Sequence, residues 1–320
     1  MADVVAGLAV FGAVIAIGWL LVRTRAVPAD ADGVLTRVCF FAATPALLVT
    51  TLSRADLTAV LSRSTAVAVA AELAAIVSAW CLHRLVLRRP TAEATIGALA
   101  SGYVNAANLG IPVAVLVLGD AATIAPILLL QLLVLTPATF TVLDAVTRRG
   151  NPSRLATLTV PLRNPLLWGV VAGTAANLGE VRLEQWCGGY PAQGLEMLGR
   201  VAVPLMMLAL GMSLAGAPRP LRSPEPDALV RGAGRRSGLW LAVGWKLAVM
   251  PGLAVVVGLA TGLSGAQLLT PVVTAALPTA QNVFMYASRY GVGKDLARDA
   301  VLLTTAGFVP VVLLAAAILR

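Results

Sequence analysis

Ser101-Gly102-Tyr103-Val104-Asn105-Ala106-Ala107-Asn108-Leu109-Gly110-Ile111-Pro112 lies near the middle of one long apolar segment; Ala275-Ala276-Leu277-Pro278-Thr279-Ala280-Gln281-Asn282 lies near the middle of another. Each places proline and carboxamides among otherwise aliphatic residues. Proline removes a backbone N–H and its ring clashes with the preceding turn, so a helix breaks or bends there. Within a bilayer a break survives only where protein or a watery cavity satisfies the freed backbone groups. Proline also suits the first turn of a helix that restarts after a break. Pro112 and Pro278 are therefore expected to open second half-helices whose N-termini point at the midplane. Each such end offers free N–H groups and about half a positive charge. One such segment reads as an ordinary proline kink, which membrane helices often carry. Two of them, each with asparagines close by, favour a site for an anion at mid-membrane.

Working outward, 58% of the 320 residues are hydrophobic and 12% are charged, and mean hydropathy is +0.87. Soluble domains carry about 25% charged residues. Too few polar side chains remain to cover a soluble surface, which excludes a soluble enzyme. Three widely separated cysteines (Cys39, Cys81, Cys187) and one histidine supply neither a disulfide framework nor a zinc cluster. No Gly-rich Lys-Ser/Thr phosphate loop is present, so the chain is read as no enzyme, with no cofactor and no resident metal.

Ten windows reach the roughly 20 apolar residues that a bilayer crossing needs: 4–22, 34–52, 64–86, 94–118, 121–143, 160–178, 196–216, 238–260, 266–290 and 299–319. The expected fold is an all-α polytopic membrane protein. The Pro- and Arg-rich stretch 217–237 reads as a solvated linker. The net charge of +9 follows the loops: 18 of the 24 Lys and Arg lie on one side of the alternating windows and 5 on the other, with Lys246 inside a window. That bias orients the chain with both termini outside the cytoplasmic membrane and argues against nucleic acid as a partner; the partner is the lipid bilayer. Ten spans divide into five and five, so related halves must be inverted repeats. The expected division is a first repeat over 1–146, a short cytoplasmic connector over 147–159 and a second repeat over 160–320.

Other polar residues inside the windows are few. Glu72 and Lys246 each lie about eight residues in, ~12 Å deep. Intramembrane ionisable residues are functional candidates by default. The two are expected to pair, to balance the charge of an anionic substrate or, for Glu72, to carry a coupling proton. For Lys246 the bland alternative is snorkelling; for the two together it is a structural pair. Gln131 is read as a helix–helix hydrogen bond rather than a substrate contact. His83, beside Arg84 at a helix end, is read as a solvated interfacial residue.

At these residues the chain resembles the auxin efflux carrier family, which includes plant carriers and bacterial ones with malonate-transporter-like members. Asn105-Ala-Ala-Asn108-Leu-Gly110-Ile-Pro112 is similar to the family's fourth span. Asn164-Pro165, Pro204 to Gly211 with Leu214, and Lys246 with Pro251 are similar to its sixth, seventh and eighth; Pro278, Ala280, Asn282, Ala287, Tyr290 and Gly291 are similar to its ninth. Ala107 departs from the family's glycine before Asn108, and the long central loop of plant members is absent. The resemblance implies ten helices as two inverted five-helix repeats, with broken helices 4 and 9 crossing. It also implies an elevator-like carrier whose scaffold holds spans 1, 2, 6 and 7, and a small organic anion such as a carboxylate as substrate.

The expected function is secondary transport, as efflux, of such anions. Asn105, Asn108, Gly110, Pro112, Pro278, Gln281 and Asn282 form the expected binding set, and Glu72 and Lys246 serve coupling or charge balance. A coupling proton, a sodium ion and no coupling all stay open, as does a homodimer. The rivals are a sodium-coupled organic anion symporter of the related bile-acid carrier class and a non-transporting membrane receptor or scaffold.

Overall fold

A computed structural model of the chain describes residues 2–28, 30–57, 62–147, 162, 164–216 and 228–319. Among them every regular element is a helix, and the one β-type pairing is an isolated antiparallel bridge between Val104 and Thr279. Among the described residues six helices are long and apolar enough to cross a membrane: Ala31–Ser53, Arg63–Val86, Ala121–Thr147, Tyr190–Ala215, Arg236–Ala260 and Lys294–Leu319. Four shorter apolar helices are Gly12–Arg23, Ala106–Leu118, Pro165–Leu178 and Gly265–Ala276. The chain is a multi-pass helical membrane protein. Residues 148–159 of the expected connector and 217–227 of the expected linker lie outside the described residues. The rest of that linker is helical: a helix runs Ala228–Gly244, starting ten residues before the apolar window does.

Four of the prolines within these helices are accommodated by one device. Cys39–Ala43, Ala106–Gly110, Gln131–Leu135 and Trp245–Val249 are wide π turns, and each ends two residues before a proline: Pro45, Pro112, Pro137 and Pro251. Thr44 N–H bonds to the Cys39 carbonyl, Thr136 to Gln131 and Met250 to Trp245, each five residues back instead of four. A proline gives no N–H and pushes against the carbonyl four residues before it. The extra residue in the turn re-pairs the backbone around that gap, which makes a break unnecessary.

The chain forms two compact units, and each is built from three separate stretches of sequence. One comprises residues 1–61, 107–128 and 160–218; the other comprises 62–106, 129–159 and 219–320. In the first unit, Ala2–Arg23 packs along Ala202–Gly216, and Pro165–Leu178 packs along Thr44–Ser53. Glycines set these distances. A Cβ on Gly211 would fall on the Ile15 carbonyl oxygen, and one on Gly169 would come within 2.9 Å of Pro45. Asn177 Nδ2 caps the end of Thr44–Ser53 by donating to the carbonyls of Leu52, Ser53 and Ala55 at 3.0, 3.2 and 2.8 Å.

In the second unit, Arg63–Cys81 packs on Thr91–Gly102, Met250–Ala260 and Leu269–Ala276, and Lys294–Leu319 packs on Leu269–Ala276 and Gln281–Tyr290. His83 corrects the expectation of a solvated residue. It is 1% exposed, and its ring fills the space left by Gly97, where a Cβ would come within 2.6 Å of it. A Cβ on Gly238 would also come within 3.7 Å of the same ring. The absence of side chains at Gly97 and Gly238 makes room for the ring, whose Nε2 is buried without a hydrogen-bond partner.

Close approach makes Gly211 a test of the packing. Gly211→Val should destabilise the protein by about 1–3 kcal/mol through overpacking. Gly252→Ala, with open space at its Cβ position, should be neutral or mildly stabilising because alanine is the better helix former. Thermal unfolding in detergent distinguishes the two; equal melting temperatures would refute the close approach.

Candidate functional site

The second unit holds both helix breaks that meet at the bridge. Thr91–Gly102 ends where Tyr103 turns to extended backbone at φ −74°, ψ 108°, and helix resumes at Ala106. Leu269–Ala276 ends at Leu277, at φ −56°, ψ 145°, and helix resumes at Gln281. The two extended pieces pair antiparallel: Asn105 N–H donates to the Pro278 carbonyl at 2.8 Å, and Ala280 N–H donates to the Tyr103 carbonyl at 3.1 Å. Four backbone groups that a bilayer would otherwise leave orphaned thus satisfy one another.

Pro278 lies in the extended break, but the helix that follows begins three residues later at Gln281, so Pro278 does not open its half-helix as expected. Pro112 does not open its half-helix either. The break comes at Val104, eight residues earlier, and Pro112 lies inside helix behind a π turn. Proline at this depth did not by itself locate the interruption, because a π turn can absorb it.

Val104 and Thr279 at the centre of the bridge have backbone groups left over, and buried side chains take them up. Glu72 Oε1 accepts from Val104 N–H at 3.2 Å and from Gln131 Nε2 at 2.8 Å. Gln131 Nε2 also donates to the Val104 carbonyl at 2.9 Å. Thr279 N–H donates to Thr304 Oγ1 at 3.1 Å, and Thr279 Oγ1 donates to the Ala100 carbonyl at 2.6 Å. Lys246 Nζ donates to the Ala275 carbonyl, near the end of Leu269–Ala276, at 3.1 Å and lies 2.8 Å from Met250 Sδ. Glu72 and Lys246 are both 0% exposed. Snorkelling is therefore overturned for Lys246. The expected direct pair does not form either: the two charges attract one another, but each is bonded to the backbone of a broken helix. Glu72 Oε2 is buried without a hydrogen-bond partner. Gln131 acts between helices, as its sequence context suggested.

Hydroxyls close the back of the crossing. Thr136 Oγ1 lies 3.2 Å from Tyr103 OH and 3.1 Å from Tyr286 OH, so one threonine links the first break to the helix restarting after the second. Sequence reading missed Tyr103, Thr136, Thr279, Tyr286 and Thr304. A lone hydroxyl on an apolar helix commonly bonds its own helix backbone, and nothing in composition distinguishes these.

Of the expected binding residues, Asn105 is 5% exposed and enters the bridge through its backbone. Gln281 is half-buried and Asn282 exposed, both in the first turn of Gln281–Tyr290. The N-cap there is Ala280, which has no side-chain acceptor to occupy the first N–H groups. Asn108 is half-buried, and Gly110 and Pro112 are buried, in the stretch that belongs to the first unit. The first unit also has a cavity of about 410 Å³ lined by Arg54, Asp120, Glu196 and Arg200. Its arginines are already paired with Glu184 and Glu196, so its charge is balanced.

The buried charges give a test. Lys246→Met leaves the Ala275 carbonyl without this donor and Glu72 without its compensating charge. Losing one member of a buried charged set commonly costs about 3–5 kcal/mol. Adding Glu72→Gln should recover at least about 1 kcal/mol of it. Thermal unfolding of both variants reads the coupling; a double variant no more stable than Lys246→Met would show the two charges to be independent.

Comparison with known proteins agrees with this architecture. Residues 5–316 match the family model described as "Membrane transport protein". A protein of Rhizobium meliloti (strain 1021) named "Putative malonate transporter" is 30% identical over 319 residues, covering 95% of this chain and 92% of that protein. A family match of this extent covers both broken helices and every buried polar group described above, and the chain belongs to the membrane transport protein family, the auxin efflux carrier group.

Proposed function

We propose that this transporter is a secondary carrier exporting small carboxylate anions, with the anion bound at the bridged helix breaks. The observation that carries the reading is the uncapped start of Gln281–Tyr290, which leaves backbone N–H groups beside the exposed Asn282 amide. A helix N-terminus with free N–H groups is suited to a carboxylate, and an amide adds a neutral donor. Lys246 contributes charge balance from a distance, because its ammonium is engaged with the Ala275 carbonyl.

Ten spans in two inverted repeats are part of this proposal. A single register relates the polar landmarks: positions 72 and 246, 104 and 278, and 108 and 282 each differ by 174, pairing Glu72 with Lys246, Val104 with Pro278 and Asn108 with Asn282. The basic bias of the loops supports both termini outside. Movement of the bridge-bearing unit as one body, the elevator mode, agrees with both breaks and their buried stitches belonging to one compact unit. Export needs no coupling ion: with a negative interior it is downhill by ~2.3 kcal/mol per charge per 100 mV. The relative's name makes malonate the first substrate to try.

In proteoliposomes, malonate efflux should persist without sodium and accelerate when the interior is made negative. Asn282→Ala should raise KM by about tenfold, the loss of one contact to a charged group. Sodium dependence would move the chain to the symporter reading, and unchanged malonate binding in Asn282→Ala would remove the site. Uncoupled export also predicts that Glu72→Gln keeps the wild-type pH dependence of initial rate; a lost pH-dependent component would make Glu72 a proton-coupling site.

A further inference from the structure

We infer that Arg289 is the capture residue for the substrate carboxylate on the cytoplasmic side of the crossing, a specificity-determining contact that rests on the carrier reading above. Arg289 lies seven residues after Asn282 on Gln281–Tyr290. Two turns place both on one helix face, ~10 Å apart along the axis. The same face carries Met285, and all three residues are exposed. A stripe therefore runs from the crossing amide to a guanidinium at the far end of the half-helix. The basic bias of the loops assigns that end to the cytoplasm.

The guanidinium is held without being neutralised. Its Cζ lies 4.9 Å from the Phe140 ring centroid and 5.6 Å from that of Tyr290, within cation–π range. No ion pair engages it among the described residues. The nearby carboxylate of Asp144 accepts instead from Tyr290 OH at 2.7 Å. Tyr290 and Phe140 are buried, so the rings are a fixed platform. Rings orient a guanidinium but leave its N–H donors free, which is the state an anion-capturing arginine needs.

The other repeat supports the assignment. The register of 174 that relates Asn108 to Asn282 relates Arg289 to Val115, which is 40% exposed. The corresponding half-helix of the first repeat thus carries an apolar residue at that position. One half-helix collects anions and the other does not, an asymmetry suited to export. A short diacid cannot span from Asn282 to Arg289, so Arg289 acts before the crossing site and not together with it.

The test measures malonate transport with substrate on either side, using inside-out and right-side-out membrane vesicles. Arg289→Gln should raise KM for cytoplasmic malonate about tenfold, flatten its dependence on ionic strength, and leave Vmax within about twofold. KM from the opposite side should not change. Arg289→Lys should restore most of the cytoplasmic KM, which excludes misfolding as the cause. An unchanged KM, or a fall in Vmax with both KM values moving together, would overturn the inference. A phospholipid headgroup could engage the same guanidinium, so the KM comparison is repeated in proteoliposomes with and without phosphatidylglycerol. A shift that survives in neutral lipid supports substrate capture; one confined to anionic lipid overturns it. A wild type that moves no malonate would overturn the carrier reading for this anion, and the inference with it. A wild type that transports normally beside an unaffected Arg289→Gln would overturn the inference alone.

Discussion

Inside a bilayer no water is available to a backbone N–H or C=O, and the structure turns on how two interrupted helices meet that condition. An unpaired amide in an apolar environment costs roughly 2–7 kcal/mol, depending on the reference state. Each break frees several such groups. The bridge at Val104 and Thr279 removes some by pairing the two breaks with one another. The remainder dictate the chemistry of the side chains around them. An N–H needs an acceptor and receives the Glu72 carboxylate; a helix-end carbonyl needs a donor and receives the Lys246 ammonium. The opposite signs of the two intramembrane charges follow from the opposite polarity of the groups they serve. Their mutual attraction then reduces the desolvation cost that either would incur alone.

The same condition accounts for four of the π turns. Pro45, Pro112, Pro137 and Pro251 each follow a π turn, so the backbone is re-paired locally and the helix continues. At Val104 and Pro278 the chain becomes extended instead, and there the two extended pieces pair with one another. Two of the π turns have a second effect. Gln131 and Lys246 both sit within them, and both reach the broken helices. The same short segments thus both accommodate a proline and carry a side chain that bonds to a broken helix.

Much of the architecture was legible because it follows from composition. Apolar windows, the distribution of arginine and the family-like residues gave the class, and amides beside proline marked both interrupted segments. The exact break in the first of them was not legible. Pro112 looked like its origin, yet the interruption falls at Val104, a residue with no break-forming character of its own. It is extended because Thr279 lies opposite it and because Glu72 and Gln131 hold its N–H and C=O. Such a position is set by partners 27 to 175 residues distant in sequence, which local propensity does not encode. His83 failed for a related reason. Its neighbours in sequence are basic and suggest water, whereas Gly97 and Gly238, which make room for it, come from elsewhere in the chain.

Committing both buried charges to the backbone also bears on what the crossing can do. A free lysine in a dry site would hold a carboxylate with a full charge–charge interaction, and release would be slow. Backbone N–H groups and amides offer partial charges spread over several donors. A carrier must bind its substrate and let it go on the other side, so moderate, distributed attraction suits it better than a tight ion pair. Lys246, fixed to the Ala275 carbonyl, can still lower the electrostatic cost of an anion at the crossing without contacting it. The interaction that satisfies the broken helix is thus the one that keeps the ammonium from trapping the substrate, and the fold and the proposed transport chemistry share a single cause.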